Sequence, residues 1–269
     1  MLRQRVITAA VLACGLWAAL FRLPPAGTVL VFGFVFLLGA WEWGGFGSLA
    51  GVARVAYAAG IGLLLLWSWV WTREPLHFMI LAAVACAWWA VAFLWLSIAP
   101  VQRRPMLVLC CAVPVLVPAF AALARLQVAT QGFTDGPQAV LWLLLLVFAA
   151  DIGAFFAGRR FGRRKLAPRV SPGKTWEGAA GGMAAVAVVA GAACARFHLP
   201  VAAGVAFGCT VGVFSIVGDL TESMFKRAAG LKDSGTLLPG HGGVLDRIDS
   251  VTAAAPIYAL GLFGSGVLI

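Results

Sequence analysis

Long apolar stretches separated by short polar links run through the chain from end to end. A helix that crosses a bilayer needs about 20 mostly apolar residues, and nine stretches approach or exceed that length. They predict transmembrane helices over 6–22, 27–46, 53–71, 77–98, 106–124, 137–157, 176–197, 199–221 and 251–269. Pro and Gly in the links are typical of breaks between helices. We therefore predict an all-α polytopic membrane protein with about nine transmembrane helices.

Composition agrees with a lipid environment. Of the 269 residues, 62% are hydrophobic and 11% are charged, whereas a soluble domain usually carries about a quarter charged residues. The net charge of +10 would suit a nucleic-acid partner, but the bases lie in short links, so we expect none. The six cysteines lie within apolar runs without a CxxC pair, which indicates buried apolar side chains rather than a zinc site.

The start of the chain has the basic and apolar regions of a signal peptide. Another apolar run follows, however, where a cleavage site and a soluble domain would be expected. We therefore interpret the first stretch as a retained helix.

The distribution of bases predicts the orientation. With a cytoplasmic N-terminus, sixteen of the twenty Lys and Arg residues fall in inner segments, and four, Arg22, Arg73, Arg125 and Arg196, fall outside. The positive-inside rule favours this arrangement. It leaves two long cytoplasmic loops, 158–175 and 222–250. We predict that 1–135 anchors the protein and contributes dimer contacts, and that 136–269 with its two loops forms the catalytic region.

Most acidic residues lie in the second half of the chain. Seven of the ten follow position 150: Asp151, Glu177, Asp219, Glu222, Asp233, Asp246 and Asp249. Ionisable groups at membrane depth usually face a cavity or a partner, and these acids gather at the cytoplasmic ends of the predicted helices. Glu42 is the one acid inside the first four predicted spans, and we interpret it as an interfacial side chain that snorkels toward water.

Spacing places several polar groups together. Asp219, Glu222, Ser223 and Lys226 follow at i, i+3, i+4 and i+7, which puts them on one face of a helix. Two interpretations stay open: ion pairs that close a helix end, or a site for a metal–nucleotide complex. The glycine-rich segment that follows, with interleaved acids and bases, favours the site. Carboxylates bind Mg²⁺, Lys and Arg neutralise phosphate oxygens, and glycines let backbone N–H groups approach an anion.

The other loop is basic. Gly173-Lys174-Thr175 resembles the end of a Walker A loop, but that motif needs a glycine at 168, where this chain has Pro. Lys174 still precedes a predicted helix, so we expect a phosphate contact. The arginines over 159–164 are typical of anchors for anionic lipid headgroups. His241 stands among glycines without a local packing reason, and we predict a substrate contact.

The segments 223–227, 232–235 and 238–249 resemble the signature of the phosphatidate cytidylyltransferases, also called CDP-diacylglycerol synthases. The resemblance spans 27 positions, from 223 to 249. The stretches 151–162 and 171–178 also resemble family patterns. One departure is Gly173, where the family commonly has a second Lys, so one phosphate-neutralising charge is missing.

The resemblance implies an α-helical membrane enzyme of the bacterial inner membrane, with its site facing the cytoplasm. It implies Mg²⁺, with a second cation as an option, a homodimer, and CTP and phosphatidic acid as substrates. A lipid phosphate oxygen would attack the α-phosphorus of CTP, and pyrophosphate would leave. Catalytic roles fall to Asp219, Asp246 and Lys226, and metal binding to Asp219, Asp246 and Asp249. With the patterns above, substrate contacts are predicted at Ser171, Lys174, Ser223, Arg227, Lys232, Asp233, His241 and Arg247.

Two other functions fit part of the pattern. A transporter would explain acids within glycine-rich helices, but its acids should lie near span centres, and nucleotide-independent flux would identify it. A lipid kinase, or an enzyme that makes a CDP-linked lipid with another backbone, shares the same features. A panel of lipid acceptors with CTP or ATP separates these.

Overall fold

The computed structural model describes residues 2–98, 104–129, 135–238 and 242–265, without the side chains of 2–7 and 9. In this part of the chain nine helices follow one another, with a short hairpin between the sixth and the seventh. Their bounds are α1 Leu2–Arg22, α2 Pro25–Phe46, α3 Gly51–Trp71, α4 Pro75–Ile98, α5 Pro105–Val128, α6 Gly136–Phe161, β1 Lys165–Ala167, β2 Ser171–Thr175, α7 Trp176–Phe197, α8 Val201–Ala228 and α9 Leu245–Gly264.

Each predicted span overlaps one observed helix, but two of the predicted ends differ from the structure by six or more residues. Helix α8 was expected to stop at 221 and continues to Ala228, and α9 begins at Leu245 rather than at 251. Hydropathy ends a span where polar residues begin, whereas the backbone stays helical there because those side chains find partners. Much of the predicted 222–250 loop is therefore helix.

The helices suit a membrane. Seven of them in the described residues, α2 to α8, are long and apolar enough to cross a bilayer. Large apolar side chains such as Leu30, Val52 and Val188 are exposed on the outer surface, as a lipid-facing surface requires. The centre of the bundle contains α5, the most buried of the seven. Its internal Pro114 and Pro118 are tolerated because neighbouring helices surround them.

Small residues allow α6 and α7 to pack very closely. A Cβ atom added at Gly182 would lie 2.6 Å from the Ala150 carbonyl oxygen, and one at Gly153 would lie 2.7 Å from the Gly181 oxygen. Glycine is therefore required at both positions for the backbones to approach, as is common between membrane helices. This packing fixes Asp151, next to Ala150, relative to the start of α7.

The hairpin corrects the prediction that 158–175 is wholly a loop. β1 and β2 pair antiparallel, with Lys165 opposite Thr175 and Ala167 opposite Ser171. The Thr175 hydroxyl accepts a hydrogen bond from Gly178 N at 3.1 Å and caps α7. The Glu177 carboxylate accepts from the backbone N–H groups of Arg163 and Arg164. The sequence signal was obscured because β2 contains Pro and Gly, which are rare in strands.

Candidate active site

A cavity of about 620 Å³, named the polar cavity for the four charged side chains in its wall, opens where α6, α7, α8 and the hairpin meet. These four side chains come from three elements: Asp151 and Arg159 from α6, Lys174 from β2 and Asp219 from α8. Such a mixture of two acids and two bases suits a ligand that carries both phosphate groups and a cation.

Lys174 and Asp219 form an ion pair across this cavity. Their side chains are 28% and 22% exposed, so both stay accessible from the cavity. The Ser223 hydroxyl lies 3.4 Å from Asp219 Oδ1, one helical turn along α8. A predicted phosphate contact, a predicted metal ligand and a predicted substrate contact thus meet at one place. Lys174 lies on β2 next to the N-cap of α7, as the sequence indicated.

Gly173, the position at which the resemblance implies a second lysine, also lines the polar cavity. A Cβ atom added there would find no atom within 4 Å. The missing lysine is therefore not excluded by packing, and its absence leaves open space at the cavity wall.

A second group of charges surrounds Lys226, one turn further along α8. Its Nζ lies 2.6 Å from Asp246 Oδ1 and 3.3 Å from Glu222 Oε1. Lys226 is 8% exposed and Glu222 is 3% exposed, so these ions are largely removed from water. The helix face predicted from spacing is confirmed, because Asp219, Glu222, Ser223 and Lys226 all lie on α8 and take part in these two groups.

Both carboxylate oxygens of Asp246 are engaged. Oδ1 accepts from Lys226, while Oδ2 accepts from Gly243 N at 2.8 Å, from Ser234 N at 2.9 Å and from the Ser234 hydroxyl at 2.9 Å. In this arrangement Asp246 binds together the end of α8, the segment before α9 and α9 itself. Oδ1 accepts from Lys226 alone, so it is the oxygen of Asp246 that keeps a lone pair for a metal.

Asp249 lies beside Glu222 around a small cavity that Gly218 also lines. Close packing of α8 on α9 brings them together, since a Cβ atom at Gly218 would lie 2.7 Å from the Asp249 carbonyl oxygen. The charge of Asp219 acts both on Asp249 and on Asp151. Asp219 therefore has two other carboxylates near it, and its direct cationic partner is Lys174.

The carboxylates provide the oxygen donors that a divalent cation binds, but they do not form a complete coordination site in the described residues. Within the described ranges, no three His, Cys, Asp or Glu side chains lie close enough to hold a metal ion. Both Glu222 oxygens are buried without a hydrogen bond of good geometry, and the cation beside them is the Lys226 ammonium, 3.3 Å from Oε1. Such oxygens are costly to bury unless a cation or a proton answers them. The donor set consists of hard oxygen ligands, which Mg²⁺ prefers.

The other predicted contacts lie elsewhere or outside the described part of the chain. Arg227 Nε donates to Val170 O and Nη1 to Leu231 O, so this side chain ties the hairpin to the end of α8. Lys232 and Asp233 are exposed, and Ser171 begins β2. Arg247 is exposed in the first turn of α9, and its charge acts on Asp151. His241 lies outside the described residues.

Several residues at the site were missed or given another role. Asp151 and Arg159 line the polar cavity although neither was predicted as a site residue; the signal was an acid late in a span followed by bases. The interpretation of Glu42 as a snorkelling side chain is wrong, because it is 1% exposed. Its carboxylate accepts from Ser234 Oγ and from the backbone at the start of α9. No local pattern could indicate a contact across about 200 positions.

An apolar cavity of about 730 Å³ adjoins the polar one. It lies between α4, α7, α8 and the hairpin, and most of its lining is apolar, including Phe93, Met183 and Val213. Leu166, Ala179 and Ile216 line both cavities. A molecule with a charged head and an apolar tail could therefore place one part in each.

Known proteins resemble the chain over nearly its full length. A model of the cytidylyltransferase family matches residues 3–263. The phosphatidate cytidylyltransferase of Haemophilus influenzae is 39% identical over 285 aligned residues, which cover 96% of this chain and 98% of that protein. That of Pseudomonas aeruginosa is 43% identical over 285 aligned residues, covering 99% and 98%. One from Brucella suis is 50% identical over 139, covering 50% and 48%. The first two alignments extend through α1–α5, where the sequence alone carried no family signature.

Proposed function

The chain belongs to the cytidylyltransferase family, and from that premise we propose that it is a phosphatidate cytidylyltransferase. It transfers the cytidylyl group of CTP to phosphatidic acid, which yields CDP-diacylglycerol and pyrophosphate. Relatives of this name align with almost the whole chain. The protein is an integral membrane enzyme of the nucleotidyltransferase class.

The observation that carries the proposal is the pair of adjoining cavities. The polar one offers Arg159 and Lys174 to phosphate groups, and the apolar one, with Met183 and Val213, offers a surface for acyl chains. Phosphatidic acid has a phosphate attached to two apolar chains, so its two parts match the two cavities. Burying an acyl chain is favourable by about 0.8 kcal/mol per CH₂ group relative to water, but a lipid is already in an apolar phase. The apolar cavity therefore orients the substrate more than it adds affinity.

The reaction forms one P–O bond and breaks another. An oxygen of the lipid phosphate attacks the α-phosphorus of CTP, and the bond from that phosphorus to the bridging oxygen of pyrophosphate breaks. The nucleophile is already ionised, so no strong general base is needed. The residues must hold two polyanions in line against their mutual repulsion. Lys174 and Arg159 line the polar cavity, where they can do this, and Lys226 lies about two turns along α8 from Asp219.

Asp219, Asp246 and Asp249 are the proposed ligands of Mg²⁺, and the carboxylate donors fit that ion. When bound, it would neutralise phosphate oxygens as charge moves to the leaving pyrophosphate. Asp219 is the best placed of the three, because it faces the polar cavity, whereas Asp246 already accepts from four donors. Ser171, Ser223, Arg227, Lys232, Asp233, His241 and Arg247 stay predicted substrate contacts.

We place the site on the cytoplasmic side of the bacterial inner membrane, with nine spans and a cytoplasmic N-terminus. The bias of sixteen bases to four supports this orientation. The end of α8, the start of α9 and the hairpin contact one another, so these polar groups share one end of the bundle. CTP reaches that end from the cytoplasm and the lipid reaches it from the bilayer. A homodimer is also proposed, from family resemblance.

A substrate panel tests the function. Purified protein in detergent micelles receives CTP or ATP with phosphatidic acid or diacylglycerol, and lipid products are separated and identified by mass. The proposal predicts CDP-diacylglycerol from CTP with phosphatidic acid, and no product from ATP with either lipid. Phosphatidic acid formed from diacylglycerol would identify a lipid kinase instead. Release of pyrophosphate in amounts equal to the lipid product is the second required result.

A further inference from the structure

Glu42 lies near the end of α2 and is completely surrounded by protein, at 1% exposure. Its carboxylate accepts three hydrogen bonds from residues about 200 positions away. Val244 N donates to Oε1 at 3.0 Å, Leu245 N donates to Oε2 at 2.8 Å, and the Ser234 hydroxyl donates to Oε2 at 3.0 Å. A buried carboxylate with this many specific donors is a built element of the structure.

The first two of these bonds cap helix α9. The first N–H groups of a helix lack partners within it, and Val244, at the N-cap, provides no side-chain cap. Glu42 supplies an acceptor from another helix instead. Its negative charge also lies at the positive end of the α9 dipole, which is favourable. The start of α9, and with it Asp246, is thus held by α2.

The third bond reaches Asp246 through one hydroxyl. Ser234 Oγ lies 3.0 Å from Glu42 Oε2 and 2.9 Å from Asp246 Oδ2. A serine hydroxyl carries a single proton, so it serves the two carboxylates in turn or shares the proton between them. Asp246 Oδ1 in turn accepts from Lys226 at 2.6 Å. A continuous chain of polar contacts therefore joins Glu42 to Lys226 on α8.

Two glycines of the segment before α9 make room for this carboxylate. A Cβ atom at Gly235 would lie 2.4 Å from Glu42 Oε1, and one at Gly243 would lie 2.5 Å from Oε2. Any other residue at these positions would displace Glu42. From the sequence, the glycines of this segment were predicted to let an anion approach the backbone. At Gly235 and Gly243, the anion that they accommodate is the Glu42 carboxylate.

We propose that Glu42 is a positioning residue for the reaction, acting through Ser234 and the start of α9 to hold Asp246 and Lys226 in register. In the described part of the chain, Glu42 is not among the residues that line either cavity. Its effect on turnover should therefore pass through Asp246. This inference rests on the proposed cytidylyl transfer for its kinetic readout. It gives the N-terminal half of the chain a role in the site in addition to anchorage.

The test compares Glu42→Gln with Glu74→Gln, the same change at an exposed acid in the link between α3 and α4. In Glu42→Gln, one oxygen becomes an NH₂ group that cannot accept from its donor. We expect kcat to fall about 10- to 100-fold, as is typical when a group that orients a functional side chain is lost. The KM for CTP should change less than about threefold, because no substrate contact is removed. Glu74→Gln should keep both constants.

Ser234→Ala tests the route and keeps the proposal falsifiable should Glu42→Gln fail to fold. It leaves both Glu42 bonds to the start of α9 in place and removes the hydroxyl between the two carboxylates, which also accepts from Asp246 N at 3.3 Å. We expect it to lower kcat about 10-fold. The double variant should be no worse than Glu42→Gln alone, since residues that act in series are not additive. Wild-type kcat in Ser234→Ala, wild-type kcat in Glu42→Gln, or multiplied effects in the double variant would each overturn the proposal.

A readout without substrate separates this proposal from the proposed function. Amide hydrogen exchange over 243–250 should be faster in Glu42→Gln than in the wild type and unchanged in Glu74→Gln, since the α9 cap is lost only in the first. Unchanged exchange there would contradict the cap. If the wild type makes no CDP-lipid but exchange responds as expected, the proposed function fails while the contact from α2 to α9 stands.

Discussion

Individual carboxylates at this site differ in how many of their oxygens are already used. Asp246 accepts from Lys226 and three further donors, whereas Asp219 accepts from Lys174 and weakly from Ser223 and faces the polar cavity. The sequence motif gave both residues the same role. The contacts separate them: Asp219 faces the cavity in which we propose that the cation binds, and Asp246 also holds the segment before α9 in place.

Asp219→Asn tests this division. We expect kcat/KM to fall by about 100-fold or more, because the proposed mechanism places the Asp219 charge beside the reacting phosphates. The free energy of unfolding should change by less than about 1 kcal/mol, since the partly exposed pair with Lys174 adds little stability. Product formation and the thermal unfolding midpoint in detergent measure the two effects.

Asp246→Asn should behave differently from Asp219→Asn. It removes the charge of Asp246, the nearer of the two carboxylates that pair with the buried Lys226. It should therefore lower stability as well as activity. Breaking one partner of a buried pair costs about 3–5 kcal/mol. Equal stability of the two variants would contradict the distinction.

At the scale of elements, close helix contacts set the geometry of the site. Packing of α6 on α7 positions Asp151 and the hairpin, and packing of α8 on α9 positions Asp219 near Asp249. Both interfaces depend on glycines, because a Cβ atom added at Gly182 or at Gly218 would lie against a backbone oxygen of the neighbouring helix.

Gly182→Ala and Gly191→Ala form a matched pair on α7. In an open helical position the change from Gly to Ala should stabilise by roughly 0.5–1 kcal/mol, and Gly191 has nothing within 4 Å of its Cβ position. At Gly182 the new methyl group would lie 2.6 Å from Ala150 O, so we expect destabilisation by about 1–3 kcal/mol. The thermal unfolding midpoint in detergent should rise for Gly191→Ala and fall for Gly182→Ala. The same sign for both variants would contradict the packing.

The elements were easier to predict from the sequence than their contacts. Apolar runs indicated each of the nine helices in the described residues, and the spacing from Asp219 to Lys226 indicated their shared face. The hairpin was missed because Pro172 and Gly173 disfavour a strand locally, whereas pairing of β2 with β1 makes this segment a strand in the structure. The contact of Glu42 with Leu245 was missed because it joins distant parts of the chain, and a single sequence carries no signal for such a pair.

At the scale of the whole molecule, the helix bundle joins a charged cavity to an apolar one. Residues from both halves of the chain build this arrangement, since Phe93 of α4 lines the apolar cavity and Glu42 of α2 holds the start of α9.

Narrowing the apolar cavity should change lipid preference. Ala180 lines this cavity, while Val188 is exposed on the same helix and is not among the residues that line it. We expect Ala180→Phe to lower kcat/KM about 10-fold for a long-chain phosphatidic acid, as changes in an apolar pocket typically do. A dihexanoyl analogue and the Val188→Phe control should be little affected. Equal losses on both lipids would mean that the acyl chains lie elsewhere.

The most direct test of the account follows the phosphorus atoms of CTP. The protein is incubated with phosphatidic acid and CTP that is radiolabelled at either the α- or the γ-phosphate, and the lipid and aqueous phases are counted. Transfer of the cytidylyl group at Asp219 and Lys174 predicts that α-label enters the lipid and γ-label leaves as pyrophosphate. It also predicts that Asp219→Asn lowers the initial rate of α-label transfer to the lipid by about 100-fold or more. γ-Label in the lipid, or undiminished α-label transfer by Asp219→Asn, would contradict it.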